Sequence, residues 1–421
     1  MKKYIPLIFL SLIFFTFLIG RVQNAYDRIH PQFLYLGIID LFLILHIFYK
    51  FSLVKIYDVI KENKIFIFYS TYIFISLISI LFALNKIESL IVISQYLTFF
   101  FSYFIIIVIT SLYKMDVVKT VIYLSVISLL LESMTVLYAV FDSVVVNGNP
   151  YLRSNEYSGL AGNINITAFS LVVKSSFIYY LLFRRENKLI TNIFLNVILF
   201  MVFTSLSFLL SRGAILAFFM LNVLILSFVI FKRNHYKNSI TKIIGLLTIL
   251  FFGYIMSNSI MNNDSSSNLL VDRVSSISLD TSDQSIGERL RFYKLSTQII
   301  GENLLTGIGI GNWKFKSIEY DASNLAEYRV PYHAHNDFLQ VASEIGVFGF
   351  LCFLAIFLIP IIGTMKYVFK FRRLIGVCFL GSLLVYSMDS MLNFPISRPI
   401  SHVYFLFILV GYQNLIKLKW N

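Results

Sequence analysis

The sequence predicts an all-α integral membrane protein of about twelve transmembrane helices, with one large, partly helical outer loop between the ninth and the tenth. Three observations predict it. Of 421 residues, 58% are hydrophobic and only 14% are charged, more apolar surface than a water-soluble fold of this length buries. Long apolar runs recur along the whole chain, and every second connection between them is basic.

A helix rising 1.5 Å per residue needs about 20 apolar residues to cross a hydrocarbon core of roughly 30 Å. Twelve runs approach that length: 4–20, 33–49, 65–84, 88–112, 118–141, 164–183, 189–210, 213–231, 240–261, 346–369, 374–392 and 402–417. The first follows Met1-Lys2-Lys3 in the manner of a signal peptide, with Ala25 near a possible cleavage point. No small-x-small site follows it directly, so the expectation is an uncleaved first helix. The chain thus divides into nine spans over 1–261, an outer loop over 262–345 that carries the candidate chemistry, and three spans over 346–421.

The charges orient these spans. Lys2 and Lys3, then Lys50 to Lys64, Lys114 and Lys119, Arg184 to Lys188, Lys232 to Lys242, Lys366 to Arg373, and Lys417 with Lys419 place 21 of the 35 Lys and Arg on one side. The opposing short loops hold six: Arg21, Arg28, Lys86, Arg153, Arg212 and Arg398. By the positive-inside rule both termini are cytoplasmic and the long loop faces outward. That loop carries seven basic and eleven acidic residues, so the chain's net charge of +13 resides elsewhere. The positive excess lies against the anionic cytoplasmic leaflet, which excludes the nucleic-acid partner that a high net charge suggests.

Within the loop, 262–285 is rich in Ser, Asn and Asp and reads as irregular. Residues 287–303 have helical composition, with Arg289 and Tyr293 one turn apart. Gly307-Ile308-Gly309-Ile310-Gly311 breaks that helix. No strand precedes these glycines, so they are a turn that lets backbones approach rather than a dinucleotide site. Residues 332–346 read as a short helix or turn feeding the tenth span. Cys352 and Cys378 lie in apolar stretches and read as structural thiols.

Polar groups on the outer side that have no topological duty are candidates for chemistry, because burying them near lipid is costly. Arg212 forms a turn between two apolar runs, where an outward cation needs a reason. One reason is a phosphate, whose oxygens match the planar guanidinium; another is a headgroup or a helix end. Arg289 and Arg291, beside Glu288, suit either a phosphate or a solvated face. His333 and His335 stand just before a span, and an imidazole there can take a proton from a sugar hydroxyl or make a plain polar contact. A metal is the weaker reading of that pair, since no further His/Cys pair follows. Asn336 adjoins His335, and Asp389 falls near the outer end of the eleventh run. No D-x-D pair and no P-loop is present, so the energy for any transfer comes with the substrate.

Taken together, His335-Asn336-Asp337-Phe338-Leu339 followed by Glu344-Ile345-Gly346-Val347-Phe348-Gly349 resembles the signature of the O-antigen ligase and Wzy-type polymerase superfamily. Arg289-Leu290 with Tyr293, Gly307 to Asn312, Ser211-Arg212-Gly213 and Gly162-Asn163-Ile164-Asn165 are similar to further elements of that family, in the same order. Tyr293, Leu304 and Ile164 depart from it where Trp, Pro and Pro are common.

The resemblance covers roughly 150–395 and implies a GT-C-like fold. It also implies a metal-independent, inverting glycan transfer without cofactor, from an undecaprenyl-diphosphate carrier to an acceptor hydroxyl, at the periplasmic face of a bacterial inner membrane. Membrane lipid is then the solvent of the carrier's tail. In that scheme Arg212 and Arg289 hold the diphosphate, His335 orients or deprotonates the acceptor, and His333, Arg291, Asn336 and Asp389 help to bind substrate. The acceptor is lipid A-core in a ligase, a growing glycan in a polymerase, or a protein side chain. The first is slightly preferred, and the third is least favoured for lack of an extra soluble domain. A transporter of lipid-linked glycan or solute also suits twelve spans, but it predicts ionisable groups near the midplane, whereas the notable charges here sit at the outer ends and in one long loop, with Lys174 inside the sixth span a partial exception.

Overall fold

The computed structural model describes residues 5–20, 29–146, 158–183, 188–232, 239–261, 284–322 and 331–417. The expectations for Lys2, Lys3, Arg21, Ala25, Arg28, Arg153, Arg184, Arg185, Arg233, Lys237, Lys419 and the polar stretch up to 283 lie outside the described residues. Among the described residues all regular structure is helical, in fifteen α-helices and a few shorter 3₁₀ and π turns. They are α1 (Ile5–Phe14), α2 (Ile29–Lys50), α3 (Leu53–Ile60), α4 (Lys64–Ser79), α5 (Lys86–Leu112), α6 (Val117–Phe141), α7 (Ile164–Leu182), α8 (Leu189–Leu209), α9 (Arg212–Phe231), α10 (Ser239–Met261), α11 (Gln284–Glu302), α12 (Trp313–Asp321), α13 (Asp337–Phe371), α14 (Leu374–Leu392) and α15 (Pro399–Lys417).

Ten of the described helices are long and apolar enough to cross a membrane. The remaining two predicted spans fall on shorter apolar helices, Ile5–Leu18 and Lys242–Met256. The exposed faces are greasy. On α2, Leu34, Ile38, Leu41, Phe42, Leu45 and Phe48 form an exposed stripe at helical spacing, while Phe33, Leu36, Leu43 and Ile47 are buried. Such a stripe belongs in lipid, where intrahelical bonds satisfy the backbone. The chain is a multi-pass, all-α membrane protein.

Two differences from the expected elements bear on the site. The tenth span is continuous with the segment before it: α13 starts at Asp337, and Gly346 (φ 76°, ψ −178°) kinks it where the span was expected to begin. The helices α12 and α3 were not anticipated, since each is only two or three turns long and lacks a long periodic pattern.

The chain forms two compact units, each assembled from separate stretches. The first comprises Met1–Asp116, Leu279–Pro360 and Ser390–Val410. Its spans meet through aromatic contacts such as Phe14–Phe407, Phe33–Phe99 and Phe357–Phe405, at ring separations of 5.0 to 5.1 Å. Tyr69 and His402 share a buried hydrogen bond of 3.0 Å, and Ser102 donates to Asp40 at 2.8 Å.

The second unit comprises Val117–Ser278, Ile361–Asp389 and Gly411–Asn421. In it Lys174 of α7 and Glu132 of α6, each 1% exposed, form an ion pair. Ser128 and Ser170 donate to the same carboxylate, and Lys174 also donates to Ser170 Oγ. A buried pair of this kind is costly to break and cheap to replace whole, because removing one partner strands the other charge. Glu132→Ala is therefore expected to destabilise the protein by ~3–5 kcal/mol, and Glu132→Gln combined with Lys174→Met to recover most of that loss. Unfolding in detergent, followed for both variants, checks this.

Candidate active site

The site assembles in the first unit from the glycine run, α11, α12 and the entry to α13. Glycines are required where the run meets α13. Gly307 has φ 64°, and a Cβ there would lie 2.3 Å from the carbonyl oxygen of Glu344. Gly346 has φ 76°, and its Cβ would lie 2.3 Å from the carbonyl oxygen of Leu305. Without side chains the two backbones touch: Ile308 N–H donates to Ser343 O (3.1 Å), Gly309 N–H to Glu344 O (2.9 Å) and Val347 N–H to Leu304 O (2.8 Å).

The Glu344 side chain completes this joint. Its carboxylate accepts from the backbone N–H of Gly311 (2.8 Å) and of Trp313 (3.1 Å), and from the Gln340 side-chain amide (3.2 Å). Gln340 in turn accepts from the Ala334 N–H (3.2 Å), between the two histidines. Asn312, fully buried, pins the other end of the run: its side chain accepts from Asn85 N–H (2.7 Å) and donates to Ser89 Oγ (2.8 Å) at the start of α5. The turn expected at the glycines is thus a close-approach turn.

Helices α11 and α12 pair across Phe292, Leu295, Ile299 and the fully buried Trp313, whose indole N–H donates to Ser296 Oγ at 2.9 Å. That pairing presents Arg289 and Tyr293 on α11. The Tyr293 hydroxyl donates to the carbonyl oxygens of Met391 (2.7 Å) and His335 (3.2 Å), tying the histidine loop to α11 and to the end of α14. Phe394 fills the space between the histidines, stacked on His333 (4.2 Å between centroids) and edge-on to His335 (5.1 Å). Phe292 stacks on the other side of His335 at 6.1 Å.

His335 holds a left-handed backbone (φ 53°), rare for a residue with a side chain and found where the surroundings enforce it. Burial, with the Arg289 charge beside it, lowers its pKa to about 4. Burial, then Arg398 and His335, lowers His333 to about 3. Both imidazoles are neutral at pH 7, and the Nδ1 atom of each has no hydrogen-bond partner among the described residues. Burial pushes the Tyr293 phenol up, so it stays a donor.

The candidate residues therefore separate. Arg289, His333, His335 and Asn336 come together in this unit. Asn336 has a structural duty there, since its side chain caps α13 by accepting from the Leu339 N–H at 3.1 Å. Arg291 leans the other way and pairs with buried Asp321 at 3.4 Å. Arg212 and Asp389 belong to the second unit. Arg212 opens α9, and the preceding Ser211 donates to Asn165 at 2.8 Å, while Asn163 caps α7, so two of the short sequence elements meet. Asp389 is buried on α14. Phe394 and Gln340 carry no local signal in the sequence, and Arg398 stands there only as one of the outer basic residues; the part each plays depends on contacts with the histidine loop. Among the described residues no group of three His, Cys, Asp or Glu is placed to hold a metal.

Residues 197–354 match the family model described as O-antigen ligase. Over that stretch the chain is similar to the O-antigen ligase and Wzy-type family. The O-antigen ligase stretch takes in Arg212, Arg289, Arg291, His333, His335 and Asn336, and ends just beyond Gly349; Asp389 lies outside it. No curated protein matches the chain.

Two outcomes follow from this geometry. Glu344→Gln sets an amide N–H against a backbone N–H, and is expected to cost ~2–3 kcal/mol and to loosen the 307–313 segment, read as faster proteolysis there. The two histidines have folded pKa values below the usual 6.5, so their contribution to stability is complete above that pH and is lost as the pH falls towards 4. Melting curves between pH 7 and pH 4 are expected to fall for the wild type and to flatten for a His333→Asn, His335→Asn double variant.

Proposed function

We propose that the protein transfers a glycan from undecaprenyl diphosphate to an acceptor hydroxyl, with lipid A-core as the acceptor. The observation that carries this reading is the neutral His335, held in a left-handed turn beside the Arg289 cation. A base and a cation side by side suit a reaction in which a hydroxyl loses a proton while a diphosphate gains charge. The family match supports the same class of chemistry.

In this reading the acceptor oxygen attacks the anomeric carbon from the face opposite the diphosphate. The new C–O bond forms as the glycosidic bond to phosphate breaks, and the configuration inverts. The diphosphate leaves with the bonding electron pair, stabilised by Arg289, while His335 takes the hydroxyl proton and releases it to solvent afterwards. A base with a pKa near 4 serves because the hydroxyl proton becomes acidic only as the new bond forms. The approaching diphosphate also raises the imidazole's affinity for that proton. Arg212 enters as a second diphosphate ligand on its Ser-Arg-Gly resemblance alone. Arg291 and Asn336 are left to hold Asp321 and α13. The site faces the periplasm of the inner membrane, with both termini cytoplasmic, on the strength of the alternating basic connections.

Reconstitution with a lipid-diphosphate-linked repeat unit, with and without lipid A-core, and product separation by mass tests this. Chelator-insensitive product on lipid A-core is expected. His335→Asn, which tolerates the left-handed backbone, is expected to slow transfer at least a hundredfold, and Arg289→Lys at least tenfold. Lengthened lipid-linked chains without core product would make the protein a polymerase. Solute flux without transfer would overturn the reading.

A further inference from the structure

A cavity of about 190 Å³ opens in the first unit, at the end of the helices where the histidine loop sits. Its wall includes His30 at the start of α2, Glu88, Gln95 and Tyr96 on α5, Lys314 on α12, and His333 on the loop. Tyr332 and Gln340 also contribute, whereas Arg289, Phe292, Tyr293 and His335 do not line it. His333 thus faces a space from which the proposed diphosphate residues are absent, and Phe394 stands between it and His335.

The size and chemistry of this space restrict its occupant. A space of about 190 Å³ has room for a sugar ring. The two opposite charges in the wall satisfy each other: Lys314 donates to Glu88 at 2.7 Å, so its charge is not free to select a phosphate. The remaining polar groups are imidazoles, amides, phenols and the Ser397 hydroxyl, donors and acceptors suited to ring hydroxyls, and Tyr332, exposed although the Lys314 ammonium lies over its ring, has aromatic surface left for ring C–H groups. The Gln95 side chain makes no hydrogen bond to a described residue, so its donor and acceptor are available to an occupant.

We infer that this cavity is the subsite for one neutral sugar ring of the acceptor glycan, a ring adjoining the unit whose hydroxyl reaches His335. The inference rests on the transfer reading above and adds to it a location and a substrate class. The diphosphate-bearing donor is assigned to the Arg289 side of the histidine loop and the acceptor ring to the His333 side, so that the attacking hydroxyl and the leaving group approach from opposite sides.

The test is steady-state transfer by the full-length protein, reconstituted in lipid, with the lipid-diphosphate-linked repeat unit as donor and lipid A-core as acceptor, for the wild type and for Gln95→Leu and Tyr332→Ala. Gln95→Leu keeps the side chain's shape and removes only its polar atoms, and an unchanged melting temperature shows that the fold is kept. The expected result is an acceptor KM raised at least fivefold in each variant with the donor KM unmoved. A raised donor KM would assign the cavity to the donor glycan and overturn the inference, as would unchanged values of both. Both of those outcomes leave transfer itself in place. Absence of transfer by the wild-type protein would instead overturn the function and the subsite with it.

Discussion

The carboxylate of Glu344 is the point on which the loop's geometry depends. It accepts hydrogen bonds from the backbone of Gly311 and Trp313 and from the Gln340 amide, and so joins three pieces of chain that no secondary structure connects. Through Gln340 the constraint passes to Ala334, and hence to the two histidines on either side of it. Through Trp313 it passes to the indole and Ser296, which lock α11 in place and with it Arg289 and Tyr293. A carboxylate can do this because both oxygens accept without needing a donated proton, and because Gly307 and Gly346 let the backbones meet in a space where a Cβ would collide. One buried side chain therefore helps to position both His335 and Arg289.

That arrangement has an electrostatic consequence. Placing His335 in an aromatic frame, close to Arg289, disfavours its charged form. The same Arg289 that adds to burial in disfavouring the imidazolium is the group proposed to bind the diphosphate. When an anion neutralises it, the imidazole becomes a better base at the moment a proton has to move. The left-handed backbone at His335 and the Tyr293 hydroxyl on its carbonyl hold the ring against the alternatives that a flexible loop offers.

Much of this was legible along the chain, and the rest was not for identifiable reasons. Apolar runs mark the spans because lipid demands a minimum length of continuous hydrophobicity, and all twelve expected runs coincide with described helices, two of them shorter than a span. Arg289, His333 and His335 stood out as polar groups without a topological duty, and the glycine run stood out as a break. Partnership did not. Arg291 and Arg289 are alike in composition and neighbours, and only Asp321, thirty residues away, distinguishes them. Asn336 reads as a binding group and serves as a helix cap. Phe394 and Arg398 carry no local signal of their part at the site because their contacts with His333 are made across about sixty residues of chain. The start of α13 was misplaced by nine residues because the kink at Gly346 leaves the helix before it polar and the span after it apolar.

The most direct test of the central claim is an experimental structure of the protein in a lipid nanodisc with undecaprenyl diphosphate bound. Diphosphate oxygens are expected within hydrogen-bond distance of the Arg289 guanidinium, with the His335 imidazole facing them across a gap wide enough for one attacking hydroxyl. Diphosphate bound away from Arg289, with His335 enclosed by protein on every side, would contradict it.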